Sequence, residues 1–231
     1  MNQEYQGKYF SILGDSISTL SGCNPPDCAV FYDLQQQYLS GVYKPADTWW
    51  GTVIQRLGGK LLVNHAWSGS LVCKHQDCEI ESYGCSDYRT GGLDADGIRP
   101  DVVIVLLGLN DFGWGMPVTG EGIRDPLAVF SVAYEIMLTK LKNRYPQAEI
   151  WCLTLPRGYQ SSQPETAMPL IRAGWHLQDY CQAIRDCARK TGCRLVDIFS
   201  IREPYDTIDG LHPNAAGMQT IAQAVLRGIG A

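Results

Sequence analysis

The sequence predicts an α/β protein in which helices cover both faces of a parallel sheet. The chain has 231 residues, of which 45% are hydrophobic, and this is enough for one substantial core. Five short apolar runs alternate along it with segments of helical periodicity. Apolar strands separated by crossover helices are typical of a parallel sheet. We therefore expect residues 1 to 231 to form a single domain.

The predicted strands are the five short apolar runs. In chain order they span residues 9–13, 61–64, 102–107, 150–155 and 194–198. Long irregular stretches fall between some of these elements, and we interpret them as loops that decorate the domain. They cover about residues 21–47, 70–100 and 156–174.

The helices are indicated by apolar residues that recur at helical spacing. The clearest pattern is "DPLAVFSVAYEIMLTKLKNRY", where Asp125 is placed to cap a helix and Pro126 to occupy its first turn. A second helix, in "HLQDYCQAIRDCARK", has an apolar stripe that includes Cys181 and Cys187. A third pattern lies near the carboxyl terminus and carries Met218, Ile221, Ala222, Val225 and Leu226.

Composition argues against several classes of function. The 19 Lys and Arg residues against 24 Asp and Glu give a net charge of −5 with no basic run, so the electrostatic footprint of a nucleic-acid-binding protein is missing. No apolar run reaches the roughly 18 residues of a membrane span, and the opening "MNQEYQGKYF" does not resemble a signal peptide. We expect a cytoplasmic protein with neither a nucleic-acid partner nor a membrane span. The sequence leaves the oligomeric state open.

The nine cysteines are expected to be mostly free thiols, because the cytoplasm is a reducing compartment. Cys73, His75, Cys78 and Cys85 form a cluster that resembles a metal site. However, their spacing is not the paired C-x2-C pattern of structural zinc. In an exported protein, a local disulfide would be the better interpretation of this cluster. We predict no metal and no cofactor.

Polar residues follow the carboxyl ends of the predicted strands, where α/β proteins place their active sites. The first strand is followed by "GDS" with Ser16, which we expect to be exposed, and the second by "NHAWSGS" with Gly69. The third leads into "GLND" with Asn110, and "DGLHP" with Asp209 and His212 comes after the fifth. Each block is a weak signal alone, but their common position and order indicate one site.

The chemistry of a serine nucleophile requires these residue types. A base must take the proton of Ser16, and His212 suits this role because histidine titrates near neutrality. Asp209, three residues earlier, can accept the imidazole N–H and orient the ring, as the acid of a catalytic triad does. The backbone N–H groups of Ser16 and Gly69, with the side-chain amide of Asn110, are candidates for an oxyanion hole.

The arrangement resembles the GDSL family of serine esterases and lipases, also called SGNH hydrolases after four defining residues. Here those four are Ser16, Gly69, Asn110 and His212, and the blocks run from residue 14 to 213. The first block reads "GDSIST", with Ile17 where the family name has leucine, which is an apolar exchange. The resemblance implies a flavodoxin-like three-layer α/β/α sandwich of about five parallel strands. It also implies ester hydrolysis through an acyl-enzyme, without a metal.

Other polar residues near these blocks have simpler interpretations. Asp111 is better explained as a brace for its own loop, and His65 as a packed, hydrogen-bonded histidine. Asp197 ends the fifth strand and is a rival to Asp209 as the triad acid. The three-residue spacing to His212 favours Asp209.

Aromatic residues near the predicted site leave the substrate open. We predict that Trp67, Phe112 and Trp114 bind substrate, while Trp49 and Trp50 lie in the helix before the second strand. Such rings can stack on a sugar, line an acyl pocket or fill the core. The chain has no long apolar lid, which favours a short-chain ester, with acetylated carbohydrate as one candidate.

Two alternatives accompany this prediction. A lysophospholipase or thioesterase uses the same machinery, and the fold does not choose between these substrates. A carbohydrate-binding module is a function of a different class, but it would not need Ser16, Asp209 and His212 together. The sequence therefore predicts an enzyme whose partner is a small-molecule ester.

Overall fold

The five predicted strands form one parallel sheet. The computed structural model describes residues 3–75, 81–159, 168–201 and 204–231. Each predicted run overlaps its strand and differs from it by one or two residues at the ends. The strands are β1 (Tyr9–Gly14), β2 (Lys60–Asn64), β3 (Val102–Leu106), β4 (Glu149–Leu153) and β5 (Arg194–Val196). Their order in the sheet is β2-β1-β3-β4-β5, which is the doubly wound, flavodoxin-like order.

Helices cover both faces of this sheet. The chain moves from β1 to β2 in one direction along the sheet and from β3 through β4 to β5 in the other. Because such connections are right-handed, crossovers in opposite directions place their helices on opposite faces. Accordingly, α2 packs against α7, and α5 packs against α6. The helices are α1 (Leu34–Ser40), α2 (Trp49–Arg56), α3 (Asp87–Gly91), α4 (Leu109–Trp114), α5 (Phe130–Arg144), α6 (Leu177–Thr191) and α7 (Ala215–Ile229).

The sheet changes its winding direction between β1 and β3, and this point positions the site. The two strands run side by side in unbroken register, so that Gly14 pairs with Leu106 at their carboxyl ends. Ligands of doubly wound proteins bind in the crevice above such a point. Ser16 and Asn110, which follow the two strands, therefore flank this crevice.

The helix predicted from Asp125 begins later than expected. Asp125 caps only a short 3-10 turn, and Val129 is extended before α5 begins at Phe130. The reason is a long-range contact: the backbone N–H of Phe130 donates to the carbonyl of Pro117, 2.8 Å away. This bond to a distant segment outweighs the local signal for a continuous helix. Asp125 and Pro126 therefore act as the cap and first-turn residue that the sequence predicts, but they belong to a short 3-10 turn and not to α5.

Two tryptophans expected near the site belong to the core. Trp49 and Trp50 are fully buried in α2. Their indole N–H groups donate to the side-chain and backbone oxygens of Ser18, at 3.2 and 2.9 Å. They do not reach a ligand, but they fix the turn that carries Ser16.

The cysteines of the described residues are free thiols. Cys181 and Cys187 are buried on α6, as their helical spacing predicts. Cys73 and Cys85 are buried as well, whereas Cys78 lies outside the described residues. Within the described part of the chain, no group of three His, Cys, Asp or Glu side chains is arranged to hold a metal ion. No helix in this part is long and apolar enough to cross a bilayer.

Candidate active site

Ser16 opens a tight turn at the end of β1. The turn is a 3-10 helix, Ser16–Ser18, and Asp15 caps it by accepting the backbone N–H of Ile17 at 3.1 Å. Position 14 must be glycine, because a Cβ there would come within 2.6 Å of the Ser18 hydroxyl oxygen. The expectation of an exposed serine is wrong: only 4% of Ser16 is accessible. The serine sits in the crevice, packed among the loops described below.

Three predicted side chains meet in one hydrogen-bonded row. The Oγ of Ser16 lies 2.9 Å from Nε2 of His212, and Nδ1 of His212 lies 2.6 Å from Oδ2 of Asp209. The ring is fixed locally because the other carboxylate oxygen of Asp209 accepts the backbone N–H of His212 at 2.7 Å. Burial alone would raise the pKa of Asp209, but the hydrogen bonds from His212 hold that pKa below its usual value. Asp209 is therefore a carboxylate at neutral pH, which is the form that can orient an imidazole N–H.

Asn110 and the Gly69 loop are joined by a hydrogen bond. Asn110 is the second residue of α4, and its side-chain amide donates to the carbonyl of Ser70 at 3.0 Å. The amide has two N–H groups, so this bond orients the second one without consuming it. Gly69 has a φ of +79°, a left-handed conformation that favours glycine. In the described part of the chain, the backbone N–H groups of Ser16 and Gly69 donate to no acceptor. They are available to an oxygen in the crevice.

Asp111 holds the Gly69 loop in place. Its two carboxylate oxygens accept the backbone N–H groups of Val72 and Cys73, at 2.8 and 3.0 Å. The side chain is fully buried, and burial raises its pKa despite these bonds. Asp111 is therefore a brace, but the prediction that it braces its own loop is wrong, because its carboxylate holds the loop after β2.

A buried arginine, which the sequence did not single out, ties these loops to β1. The guanidinium of Arg89 is inaccessible and donates to the carbonyls of Gly14 and His65, at 2.9 and 2.8 Å. It also donates to the hydroxyl of Ser70 at 2.7 Å and to the carbonyl of Ser82. Burial lowers its pKa to about 10. No sequence pattern marks this residue, because its partners are spread along the chain from Gly14 to Ser82.

His65 is packed beneath Arg89, as predicted. Its Nδ1 accepts the Nε–H of Arg89 at 3.1 Å, and the ring is almost fully buried. Burial, and secondly the positive charge of Arg89, lower the pKa of His65 to about 4. The residue is therefore a neutral acceptor and does not compete with His212 as a base.

Asp15 is a buried carboxyl whose ionised form is unfavourable. Only 1% of it is accessible, and among the described residues its Oδ2 has no hydrogen-bond partner. Burial raises the pKa of this carboxyl to about 6, against the lowering effects of the Ile17 N–H and of His212.

The rival acid Asp197 is engaged elsewhere, since it pairs with Arg185 at 2.9 Å and accepts the Thr154 hydroxyl at 2.9 Å.

The two tryptophans predicted to bind substrate differ in how much of each side chain is exposed. Trp67 is only 8% accessible and packs against Tyr88, with ring centroids 6.5 Å apart. Trp114 is 64% accessible at the end of α4, and its ring lies 4.9 Å from that of His75. Trp114 follows Asn110 by four residues, which places both on one face of α4. Trp114 is thus the better placed of the two to meet a ligand.

Phe112 lines a cavity beside the Asp209 loop. The cavity has a volume of about 250 Å³ and lies between α4 and the segment that carries Asp209. Its walls are mostly apolar. They are formed by Leu109, Phe112, Gly113, Met168, Pro169, Arg172, Asp209, Gly210 and Leu211.

Comparisons with known proteins show the family and the fold of this chain. Residues 12–220 match the model of the GDSL-like lipase/acylhydrolase family. A crystal structure of a GDSL-like lipase from Bacteroides uniformis ATCC 8492 is 25% identical, covers 97% of this chain and 96% of its own, and superposes with a TM-score of 0.73. Comparison with curated protein sequences gave no match.

Two more distant solved structures share the fold. The inhibitor-bound aryl esterase of M. smegmatis is 17% identical, with 96% of this chain and 98% of that chain covered and a TM-score of 0.64. A carbohydrate esterase family 2 enzyme with a carbohydrate-binding domain, from Corynascus thermopiles, is 20% identical and has a TM-score of 0.58. It covers 100% of this chain and 69% of its own.

Proposed function

The chain belongs to the GDSL-like lipase/acylhydrolase family, and from this premise we propose that it is a serine esterase that hydrolyses short-chain acyl esters through an acyl-enzyme. One observation carries the proposal. The Ser16 hydroxyl, the His212 ring and the Asp209 carboxylate form a continuous row, with contacts of 2.9 and 2.6 Å. A binding module on this fold would not require a nucleophile, a base and an acid in one hydrogen-bonded row.

In the proposed reaction, Ser16 Oγ attacks the ester carbonyl while His212 Nε2 takes its proton. The tetrahedral oxyanion is stabilised by the backbone N–H groups of Ser16 and Gly69 and by the free N–H of Asn110. His212 then gives its proton to the leaving alcohol, and the acyl group stays on Ser16. Water, deprotonated by His212, hydrolyses this acyl-enzyme, and the proton returns to Ser16. Asp209 stabilises the imidazolium formed in each half of the cycle.

The preferred substrate is an acetyl or other short acyl ester of a polar alcohol such as a carbohydrate. Trp114 supports this choice, because an exposed indole one turn along α4 from Asn110 offers a flat apolar surface for a sugar ring. Trp67 and Phe112 stay predictions as substrate contacts, since both are nearly buried. The carbohydrate esterase among the structural neighbours has the same fold, which permits such a substrate without selecting it.

The cavity beside Asp209 favours a second candidate, an acyl hydrolase for longer chains. Its volume of about 250 Å³ is far larger than an acetyl methyl group requires, and Leu109, Phe112 and Leu211 give it apolar walls. If the acyl chain enters this cavity, each added methylene contributes about 0.8 kcal/mol until the cavity is full. A lysophospholipid or a thioester then becomes the better substrate class.

The test is a series of p-nitrophenyl esters from acetyl through butyryl and octanoyl to palmitoyl, together with acetylated sugars, on the wild-type protein and on Ser16→Ala. We expect Ser16→Ala to lower kcat by about a thousandfold or more and to leave the fold intact, since one hydroxyl is removed. Near wild-type turnover in Ser16→Ala would overturn the assignment of the nucleophile. We expect kcat/KM to flatten beyond about four carbons. A rise through octanoyl would select the longer-chain candidate.

A further inference from the structure

The ring of Phe31 lies flat on the imidazole of His212. The two ring centroids are 3.5 Å apart and the planes are inclined by only 11°. Aromatic pairs in proteins more often have centroids about 4.5–7 Å apart, so this contact is unusually close and complete. The two residues are far apart in sequence, and none of the motifs that define the site includes Phe31.

The stacked ring supplies a restraint that the hydrogen bonds of His212 lack. Asp209 and Ser16 contact the two nitrogens in the plane of the imidazole, so they fix its direction within that plane. Tilting of the ring out of this plane, through its soft χ2 torsion, is opposed by groups packed on its faces. Phe31 is such a group, and it keeps the imidazole plane aligned with the Ser16 hydroxyl.

The backbone that carries Phe31 is itself bonded to both halves of the site. The N–H of Phe31 donates to the Thr19 hydroxyl at 2.9 Å, and this hydroxyl donates to the carbonyl of Ser16 at 2.9 Å. The next residue, Tyr32, is fully buried and donates its hydroxyl to the carbonyl of Pro213 at 2.7 Å. The ring of Tyr32 also meets that of Phe31 edge-on, with centroids 5.1 Å apart. This short segment therefore joins the nucleophile turn to the histidine loop.

From this geometry we propose that Phe31 is a positioning residue for His212, which holds the imidazole in the reactive plane and stabilises its protonated form through the π face. This inference rests on the proposed esterase function. The face of an aromatic ring attracts a cation stacked on it, and His212 gains a positive charge when it takes the serine proton. The stack therefore acts mainly on kcat.

The charged and titratable groups around His212 make the pH profile informative. Asp209 lies on its own loop, Ser16 and Asp15 come from the nucleophile turn, and Phe31 brings no charge. Exchange of Phe31 for another uncharged side chain leaves those carboxylates in place. Any shift in the acid limb of the kcat/KM profile then reports the lost ring face.

The experiment compares Phe31→Leu with Phe31→Tyr, and uses Tyr38→Leu, an exposed ring on α1, as the matched control. With p-nitrophenyl acetate, we expect Phe31→Leu to lower kcat about tenfold and to change KM less than twofold. Its acid limb should move to lower pH by about half a unit, because the imidazolium has lost its π contact. Phe31→Tyr should restore both quantities, and Tyr38→Leu should match the wild type.

Fluorinated phenylalanines at position 31 provide a second test if Phe31→Leu does not fold. They weaken the π face in steps at almost constant shape, so kcat should fall with each added fluorine. A wild-type kcat and pH profile in folded Phe31→Leu, or a flat fluorine series, would overturn the role of Phe31. Ser16→Ala distinguishes failure of the Phe31 inference from failure of the esterase proposal. If Ser16→Ala is inactive while the Phe31 variants behave as the wild type, the role of Phe31 is wrong and the esterase proposal stands.

Discussion

Replacement of Asp15 by asparagine should change how the stability of the protein depends on pH. The carboxyl is inaccessible, one of its oxygens has no hydrogen-bond partner among the described residues, and its pKa is raised to about 6. Asparagine keeps an oxygen that can accept the N–H of Ile17 and removes the titrating group. The prediction concerns the slope with pH, because a constant cost of burying an amide cancels when two pH values are compared.

The sign follows from proton binding. Between about pH 4 and pH 6 the folded protein keeps the Asp15 proton, whereas the unfolded chain, with a pKa near 3.8, has released it. The folded state binds more protons, so this residue makes the free energy of unfolding fall as pH rises. A difference of about two pKa units at 1.36 kcal/mol each amounts to about 3 kcal/mol. Because the unfolded carboxyl is already partly ionised at pH 4, the stability of Asp15→Asn relative to the wild type should increase by about 2 kcal/mol from pH 4 to pH 7.5.

Urea denaturation followed by tryptophan fluorescence at several pH values measures this difference. Asp125→Asn is the matched control, because Asp125 accepts a backbone N–H in the same way, at 3.0 Å from Leu127, but on the surface. Its difference from the wild type gives the baseline for loss of a capping carboxylate. If the Asp15→Asn difference stays constant within about 0.5 kcal/mol across the range, or decreases, the buried carboxyl does not carry the predicted cost.

Two further predictions concern neighbouring residues. His65→Gln should show the opposite slope. The pKa of His65 is lowered to about 4, so the wild type gains stability as pH rises from 4 to 6.5. In the same urea experiment, the variant should lose about 3 kcal/mol of stability relative to the wild type over that range. Asn110→Ala should lower kcat by about a hundredfold to a thousandfold with little change in KM, because its free N–H is needed only when the oxyanion forms; a rise in KM alone would contradict this role.

The elements of this fold could be predicted because their signals are local. The five strands and the apolar faces of α5, α6 and α7 are encoded in the spacing of neighbouring residues. The start of α5 could not be predicted, since the bond from Phe130 to Pro117 depends on a contact between separate segments. The blocks around Ser16, Gly69, Asn110 and His212 were found because each follows a recognisable strand or opens a helix.

The supporting residues of the site left no such trace in the sequence. Arg89 lies in the short helix α3 and appears in no motif, yet it bonds the end of β1 to the Gly69 loop. Phe31 lies in a stretch interpreted only as decoration, and its role depends on a ring 181 positions away. A sequence pattern can indicate which groups react, but the groups that hold them are defined by the folded chain.

The buried carboxylate of Asp15 is unfavourable for the stability of the fold but favourable for the proposed reaction. At neutral pH the residue is ionised, and within the part of the chain that the structure describes its Oδ2 has no hydrogen-bond partner, which lowers the stability of the fold. The same charge attracts His212, and attraction between two groups is mutual. In the proposed reaction His212 takes the serine proton, and the new imidazolium has Asp209 beside Nδ1, Asp15 nearby and the ring of Phe31 on its face. Asp15, which weakens the resting protein, thus favours the charged intermediate of the proposed reaction, as expected where stability is exchanged for a preorganised site.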